Sequence, residues 1–263
     1  MQAASSIRQT YAPDAFAGQV VFITGAGRGM GKVAAAKFAA LGARVAISDL
    51  VEERVRAAAD ELAAQGRDVL GVAANAGKES DVKRAVDATI ARFGRIDVLV
   101  NTAGSYGAAH RATHETPVDE WDSVFASNVR GSFLTAKHVV PHMMQAGRGR
   151  IINFASNAAR TLSPLLGCSY TAAKTAILGL TRHLSREYAS HGILVNTIAP
   201  GPTDGERTVG LLGNDQETLL TQLPLGRLAD PEEIVDVVLF LASDASRFMT
   251  GAIVDVSGGL ILA

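Results

Sequence analysis

Cysteine is nearly absent from this chain: Cys168 is the only one among its 263 residues. A single cysteine excludes an intrachain disulfide and a cysteine-based metal site, and it is typical of proteins from a reducing compartment. Two pairs of the six histidines, His110/His114 and His138/His142, have H-x-x-x-H spacing. Two side chains alone do not complete a metal site, so we expect no metal centre. A cytoplasmic location is what this composition favours.

An excess of charge and a long apolar run are missing too. The chain has 25 Lys and Arg against 26 Asp and Glu, which gives no electrostatic footprint for nucleic acid or an anionic membrane. No apolar run approaches the roughly 18 residues of a membrane span. Residues 1–16 are polar and lack the apolar centre of a signal peptide, so we expect an N-terminal arm there. We expect no nucleic-acid partner and no membrane partner.

What the chain does have is a regular alternation of short apolar runs and longer helical patterns. Its 263 residues, 48% of them hydrophobic, suffice for one α/β domain with a real core. Predicted strands, rich in Val, Ile or Leu as parallel strands are, lie at 20–24, 44–49, 69–74, 96–100, 150–155, 193–198 and 252–256. Predicted helices lie at 31–40, 52–65, 79–93, 118–144, 171–190 and 232–242. The alternation predicts one domain over residues 17–263, a doubly wound parallel sheet of seven strands with helices on both faces.

One segment, residues 202–227, breaks this alternation between the sixth strand and the last helix. A connection of that length is usually functional or mobile. It is rich in Gly, Thr and Leu, and we expect a lid in which Leu211, Leu212 and Leu223 face an apolar pocket. The alternative for these leucines is burial in the core.

A glycine-rich turn, TGAGRGMG at residues 24–31, follows the first predicted strand immediately. Its glycines allow the backbone to approach a pyrophosphate closely, and the helix that follows offers its N-terminal dipole to the anion. A tight turn without a ligand is the alternative, which the position between strand and helix disfavours. The cofactor-binding residues predicted in this turn are Gly25, Gly27, Arg28, Gly29, Met30 and Gly31.

Asp49, at the end of the second predicted strand, is placed to accept hydrogen bonds from an adenosine ribose. Its charge would repel a 2′-phosphate, which favours NAD over NADP. Arg28 acts in the opposite direction, since a guanidinium pairs well with that phosphate. Capping the next helix is a second role for Asp49, and the two roles are compatible. We therefore predict NAD as the cofactor, with NADP less favoured.

Tyr170 and Lys174 stand four residues apart, with Ser156 upstream. On a helix, positions i and i+4 share a face, so the phenol and the ammonium would point into one cleft. A lysine charge about 5 Å away, at an effective dielectric constant of about 20, is worth roughly 3 kcal/mol. That energy would lower the pKa of the phenol from about 10 to about 8, which makes it a usable proton acceptor. The spacing alone also fits an amphipathic helix with a solvated lysine.

Together these segments resemble the short-chain dehydrogenase/reductase family in its compact single-domain form, over residues 17–259. The resemblance rests on the glycine turn, the N-x-A-G segment at 101–104, Asn128, Ser156, Tyr170-x-x-x-Lys174, Asn196 and Pro200-Gly201. It implies a Rossmann fold in which Tyr170 is the catalytic acid/base and Ser156 holds the substrate oxygen. It also implies that Lys174 binds the nicotinamide ribose and lowers the tyrosine pKa, while Asn128 holds a water that links Lys174 to a proton relay. From its residue type alone, Asn128 also fits a polar side chain bonded to nearby helix backbone.

The same resemblance implies cofactor contacts outside the glycine turn. Asn75 stands where an aspartate often contacts adenine, and Gly205 replaces a common threonine near the carboxamide. The interval of fourteen positions from Ser156 to Tyr170 is one longer than is common, which a loop absorbs cheaply. The implied contacts come from Asn75, Asn101, Ala103, Gly104, Tyr170, Lys174, Pro200, Gly201 and Thr203.

These features favour an enzyme that interconverts a secondary alcohol and a ketone by hydride transfer with NAD(H). We expect a medium-sized, fairly apolar substrate, because the residues expected around it are mostly apolar. His110 and His114 would lie near the rim, where solvent-exposed loop histidines are the simpler interpretation. The predicted substrate pocket is lined by Tyr106, Asn157, Ala158, Leu165 and Leu166.

Two other functions stay open. One is an NADPH-dependent 3-oxoacyl-acyl-carrier-protein reductase of the same family, which would want basic residues where Asp49 stands. The other is a non-catalytic protein that senses NAD(H), and such proteins often lose the tyrosine or the serine. An enoyl reductase is disfavoured, because its tyrosine and lysine are normally further apart. The resemblance implies a homotetramer or dimer, and apolar residues on several faces of helices 118–144 and 171–190 agree with association.

Overall fold

The computed structural model describes residues 11–109, 111–163, 165–205, 208, 210–211 and 216–262. In this part of the chain a single parallel sheet has seven strands in the order β3-β2-β1-β4-β5-β6-β7. This order confirms the predicted doubly wound α/β fold, and it reverses between β1 and β4, where ligands bind at the carboxyl ends of such sheets. The strands are β1 Val20–Thr24, β2 Arg44–Asp49, β3 Val69–Ala73, β4 Val98–Asn101, β5 Gly149–Phe154, β6 Ile193–Pro200 and β7 Ile253–Val256.

Two strands, β4 and β6, differ from their predicted bounds by two residues at one end, and β3, β5 and β7 differ by one residue at one or both ends. β4 begins at Val98 rather than at residue 96, because Asp97 just ahead of it uses its carboxylate to accept a 2.9 Å hydrogen bond from Val20 N. β6 continues to Pro200 rather than ending at residue 198, because β7 pairs with it until Val256 lies opposite Pro200. The longer β6 carries the chain to the edge of the ligand crevice.

The predicted helix 118–144 is helical but is not one continuous α-helix. Residues 118–144 form two helices separated by a π turn, Ala126–Arg130. Side chains in this turn bond to helix backbone: Asn128 Nδ2 donates to Val124 O at 2.8 Å, and Ser132 Oγ donates to Asn128 O at 2.9 Å. Such bonds compete with the regular helical ladder. The described helices are α1 Gly29–Ala40, α2 Glu52–Ala64, α3 Glu79–Phe93, α4 Val118–Phe125, α5 Gly131–Ala146, α6 Cys168–Tyr188, α7 Gln216–Gln222 and α8 Pro231–Ala242.

Apolar side chains fill both faces of the sheet. Phe38 of α1 and Val238 of α8 belong to the core on one face, and Val86 of α3 and Val139 of α5 belong to the core on the other. All four side chains are buried. Helices therefore cover both faces, as predicted for buried parallel strands. Across the described residues, no helix is both long and apolar enough to cross a bilayer.

The packed domain begins earlier than the predicted boundary at residue 17. Phe16 is 1% exposed, and its ring meets Phe38 edge-on at 4.9 Å. Tyr11 packs in turn against Phe16 at 6.3 Å. Tyr11 and Phe16 of the expected arm thus pack on the core, residues 12–15 are exposed, and residues 1–10 lie outside the described residues.

Candidate active site

The glycine turn lies between β1 and α1 and packs against the segment that follows β4. Gly25 has φ +66°, and a Cβ on it would lie 2.7 Å from Ala103 Cα. A Cβ on Gly31 would lie 2.7 Å from Gly25 O. Only glycine fits such contacts. Arg28, the residue before α1, makes no side-chain capping bond, so its side chain leaves the N–H groups of the first helical turn available to an anion.

Asp49 connects this turn to the end of β2. Its Oδ2 accepts a 3.0 Å hydrogen bond from Gly27 N, and its Oδ1 accepts one of 3.0 Å from Val51 N just ahead of α2. The residue is 9% exposed. A carboxylate has about four acceptor sites, so two remain for ribose hydroxyls. The residues thus fit an adenine dinucleotide: a cradle that a Cβ would fill, and a carboxylate beside it.

The other predicted cofactor residues lie at the same carboxyl edge of the sheet. Arg28 and Gly29 are exposed, and Met30 packs partly against the core. Asn75 follows β3 and uses Oδ1 to accept from Gly77 N at 2.9 Å. Pro200 is the last residue of β6. Earlier in the same strand, Asn196 Nδ2 donates to Met249 O and Asn196 Oδ1 accepts from Ala252 N.

Gly201 directly precedes the segment predicted as a lid, and Thr203 lies at its start. Gly201 N donates to Val256 O at 2.9 Å, and a Cβ there would lie 2.8 Å from Ser257 Cα. Thr203 Oγ1 donates to Gly201 O at 3.0 Å. These bonds hold the chain against β7 as it leaves β6.

Asn101 directs its side chain into the sheet. Asn101 Oδ1 accepts from Thr135 Oγ1 at 2.7 Å, and its Nδ2 donates to Asn153 Oδ1 at 2.9 Å. The hydrogen-bond network continues beyond Asn153. Asn153 Nδ2 donates to Thr181 Oγ1 at 2.9 Å, and Thr181 Oγ1 lies 2.5 Å from Thr197 Oγ1. The two partners of Asn101 and the two threonines beyond them in this network were missed from the sequence. Their signal was a polar residue near the end of each of two apolar strands, Asn153 in β5 and Thr197 in β6.

Ser156 follows β5 and caps a short 3₁₀ turn, Asn157–Ala159. Its Oγ accepts from Ala158 N at 3.2 Å and donates to Asn157 Oδ1 at 3.0 Å. The residue is 8% exposed. A hydroxyl hydrogen rotates freely, so the same oxygen can donate instead to a substrate oxygen.

Lys174 lies within α6, one turn after Tyr170. Its Nζ donates a 2.9 Å hydrogen bond to Phe154 O, two residues before Ser156, and lies 5.7 Å from the centre of the Tyr170 ring. Lys174 is 7% exposed. A cation in such a position is poorly screened by solvent, so it favours the ionised form of a nearby phenol.

Asn128 is buried in the π turn. Its Nδ2 donates to Ser105 O and to Val124 O, each at 2.8 Å. Its Oδ1 has no hydrogen-bond partner among the described residues, and a Cβ on Gly104 would overlap it. Asn128 therefore fastens the segment after β4 to the helix that carries the π turn.

The predicted substrate residues lie on two loops that meet. Ala109, on the loop after β4, forms an antiparallel bridge with Leu166, on the loop before α6. Tyr106, Asn157, Leu165 and Leu166 are half-buried, and Ala158 is buried.

Of the leucines predicted in the lid, Leu223 is only 4% exposed, which agrees with core burial. Leu211 is half-buried, and the exposed His114 lies in a 3₁₀ turn. Leu212 and His110 lie outside the described residues. Among the residues that are described, no three His, Cys, Asp or Glu side chains are grouped to hold a metal ion.

Several known proteins with similar sequences are named as dehydrogenases or reductases. A protein-family model described as "Enoyl-(Acyl carrier protein) reductase" matches residues 25–261. The chain is 41% identical to a (2S)-[(R)-hydroxy(phenyl)methyl]succinyl-CoA dehydrogenase subunit from Thauera aromatica, covering 92% of this chain and 96% of that protein. It is 38% identical to a cis-4-hydroxycyclohexanecarboxylate dehydrogenase from Sinomonas cyclohexanicum, covering 94% and 98%. It is 35% identical to a 3-oxoacyl-[acyl-carrier-protein] reductase from Thermotoga maritima, covering 93% and 98%.

A solved structure shares the fold closely. A short-chain type dehydrogenase/reductase from Mycobacterium marinum superimposes with a TM-score of 0.90 at 31% identity, covering 95% of this chain and 98% of that one.

Proposed function

Because the chain belongs to the short-chain dehydrogenase/reductase family, we propose that this oxidoreductase interconverts a secondary alcohol and a ketone with NAD(H), and that Tyr170 moves the proton. The observation that carries the proposal is the position of Lys174. Its ammonium is buried, hydrogen-bonded to Phe154 O, and 5.7 Å from the Tyr170 ring. A buried cation in this position supports a role for Tyr170 as the proton acceptor, because it stabilises the phenolate.

In alcohol oxidation, Tyr170 as phenolate accepts the hydroxyl proton while the carbon gives up a hydride. Bound NAD⁺ supplies the hydride acceptor, which is chemistry that the protein itself lacks. Ser156 donates a hydrogen bond to the substrate oxygen, and this bond strengthens as negative charge develops there. In ketone reduction, Tyr170 returns the proton to that oxygen. Lys174 stabilises the phenolate in both directions.

NAD rather than NADP is part of the proposal, and Asp49 supports it. The carboxylate is held in place by Gly27 N and Val51 N. A 2′-phosphate beside this charge would be repelled, whereas a 2′-hydroxyl would donate to it.

A fairly apolar substrate is supported by the pairing of the arginines on the two pocket loops. Arg111, after β4, is paired with Glu120 at 2.6 Å. Arg160, after Ser156, is paired with Asp255 at 3.3 Å. Two relatives are named as dehydrogenases of ring-bearing hydroxy compounds, one a CoA thioester and the other a carboxylate, which agrees with alcohol oxidation.

A 3-oxoacyl-acyl-carrier-protein reductase is the second candidate, because a relative 35% identical to the chain carries that name. The enoyl reduction named in the family description is less favoured, since Tyr170 and Lys174 are only four positions apart.

The two candidates are separated by a panel of alcohols, ketones and 3-oxoacyl thioesters, assayed with NAD and NADP by reduced-nicotinamide fluorescence. Tyr170→Phe should abolish turnover and retain NADH binding, while Tyr188→Phe, at the far end of α6, should keep both. Near-normal kcat in Tyr170→Phe would contradict the mechanism. Preference for NADPH and an acyl thioester would select the second candidate.

We also propose that the enzyme is a homotetramer or dimer. Phe133 and Met144 of α5 and Trp121 of α4 are 48%, 38% and 37% exposed, and Phe248 near β7 is fully exposed. Exposed apolar surface on two parts of the molecule supports contacts between copies. The cytoplasmic location stays a prediction of the sequence.

A further inference from the structure

We propose that Glu120 of α4 is a positioning residue that holds residues 105–109 in place as one wall of the substrate pocket. These residues, named here the pocket wall, follow β4 and include Tyr106. The proposal rests on the proposed function, because it assigns that site a determinant of substrate affinity.

Glu120 holds the far end of the pocket wall through one carboxylate oxygen. Glu120 Oε2 accepts a 3.2 Å hydrogen bond from Ala108 N and a 2.6 Å hydrogen bond from Arg111 Nη1. The side chains of Glu120 and Arg111 are 20% and 32% exposed, so the contact is partly shielded from solvent. A charged acceptor makes the bond to a backbone amide stronger than a neutral acceptor would.

Gly107 shows how closely the pocket wall passes the carboxylate. A Cβ on Gly107 would overlap Glu120 Oε1, although the backbone there lies outside the left-handed region. An alanine at this position would therefore meet a steric obstacle without backbone strain. The fit between Gly107 and Glu120 is a second contact, independent of charge.

The near end of the pocket wall is anchored by other residues. Ser105 N donates to Ser127 Oγ at 3.2 Å, and Asn128 Nδ2 donates to Ser105 O at 2.8 Å. Tyr106 thus lies between two attachments to the same helical segment. Loss of Glu120 would release only the far attachment.

The pocket wall also supports the opposite loop. Ala109 bridges Leu166, and Gly167 precedes α6, which carries Tyr170. Release of Glu120 would therefore loosen both loops around the substrate. The glycine turn and Asp49, where we expect the cofactor, contact neither Ala108 nor Glu120 through any of the hydrogen bonds described above.

The test compares Glu120→Ala, Glu120→Gln and Gly107→Ala with Asp122→Ala, a control that removes an exposed carboxylate from the same helix. We expect Glu120→Ala to raise the substrate KM by about tenfold, the value of one hydrogen bond to a charged group. Affinity for NADH should stay unchanged. Glu120→Gln, which keeps an acceptor oxygen, should show a smaller rise, and Gly107→Ala should raise KM with every charge retained.

The attachment of the pocket wall to Glu120, named here the clamp, can be tested without turnover by hydrogen exchange at the Ala108 amide. Faster exchange in Glu120→Ala and Gly107→Ala, but not in Asp122→Ala, would support it, and unchanged exchange would overturn it. Faster exchange with an unchanged KM would overturn the role in the pocket. A wild-type protein that binds NADH but is inactive on the whole panel would overturn the proposed function and with it the role in the pocket, while the exchange result would still decide whether the clamp exists.

Discussion

Arg160 Nε lies 3.3 Å from Asp255 Oδ1, and this ion pair joins the turn after Ser156 to the edge strand β7. Asp255 Oδ1 is buried and accepts no hydrogen bond from the described residues. The Asp255 side chain is 15% exposed and that of Arg160 is 27% exposed. The carboxylate therefore depends on Arg160 more than the guanidinium depends on Asp255.

This asymmetry predicts unequal effects of removing the two charges. Arg160→Met should lower the free energy of unfolding by about 1–3 kcal/mol, because it leaves a mostly buried carboxylate unpaired. Asp255→Asn should cost less, since the guanidinium can reach water. The double variant should recover part of the loss, and urea unfolding of all four proteins measures the cycle. Equal losses in the two single variants would contradict the dependence of Asp255 on Arg160.

Changing Asp49 tests its charge. Asp49→Asn removes the charge that would repel a 2′-phosphate and keeps an acceptor oxygen for one of the two backbone amides that Asp49 binds. We expect the ratio of kcat/KM for NAD to that for NADP to fall at least about tenfold, one charge interaction near a protein surface. Asp49→Ala should lower the ratio similarly and also destabilise the protein by about 1–3 kcal/mol, because Gly27 N and Val51 N lose their acceptor. An unchanged ratio in both variants would reduce Asp49 to a structural role.

Sequence patterns correctly predicted the features that depend on residues close together in the sequence. The apolar runs gave the parallel strands, and the four-residue interval between Tyr170 and Lys174 placed both on one helix. Contacts set by strand register or by the path of a loop were not predictable in this way. Asn101 meets Asn153 only because β4 and β5 pair in that register, and Glu120 meets Ala108 only because the intervening loop folds back.

The π turn in the predicted helix 118–144 was missed for a related reason. Helical periodicity continues on both sides of it, so the pattern shows no break. The bond from Asn128 Nδ2 to Ser105 O depends on a segment more than twenty positions earlier in the chain. Only the buried polar residue itself marked the position.

The proposed association predicts that a charge on α5 will weaken the contact between subunits. Phe133→Glu removes a 48% exposed apolar side chain and adds a charge that would be buried at a contact. We expect it to weaken association at least about tenfold, since a buried phenylalanine contributes about 1.5–3 kcal/mol. Phe248→Glu tests the second exposed area in the same way. Light scattering at micromolar concentration measures the mass, and a monomeric wild-type protein would contradict the proposed oligomer.

Acid should weaken the attachment at the end of the segment predicted as a lid. Arg227 donates to both oxygens of Glu233 at 2.7 Å, and Asp230 N donates to Glu233 Oε2 at 2.8 Å, closing the cap of α8. The hydrogen bond from Arg227, followed by that from Asp230, lowers the pKa of Glu233 from 4.5 to about 2. A lowered pKa means that the ionised form stabilises the fold above about pH 4.5, and this contribution is lost as the pH falls toward 2.

Because ionised Glu233 stabilises the fold, the stability of wild type should be compared with that of Glu233→Gln at several pH values. The variant should be less stable at pH 7 by about 1 kcal/mol or less, because the pair is partly exposed and screened by solvent. The difference should shrink as urea unfolding is repeated between pH 5 and the lowest pH at which both proteins fold. Glu232→Gln, which removes a charge from the same turn but has no contact with Arg227 among those described, should show a smaller change with pH. A difference between wild type and Glu233→Gln that stays constant or grows on acidification would show that the Arg227 pair does not stabilise this end of the segment.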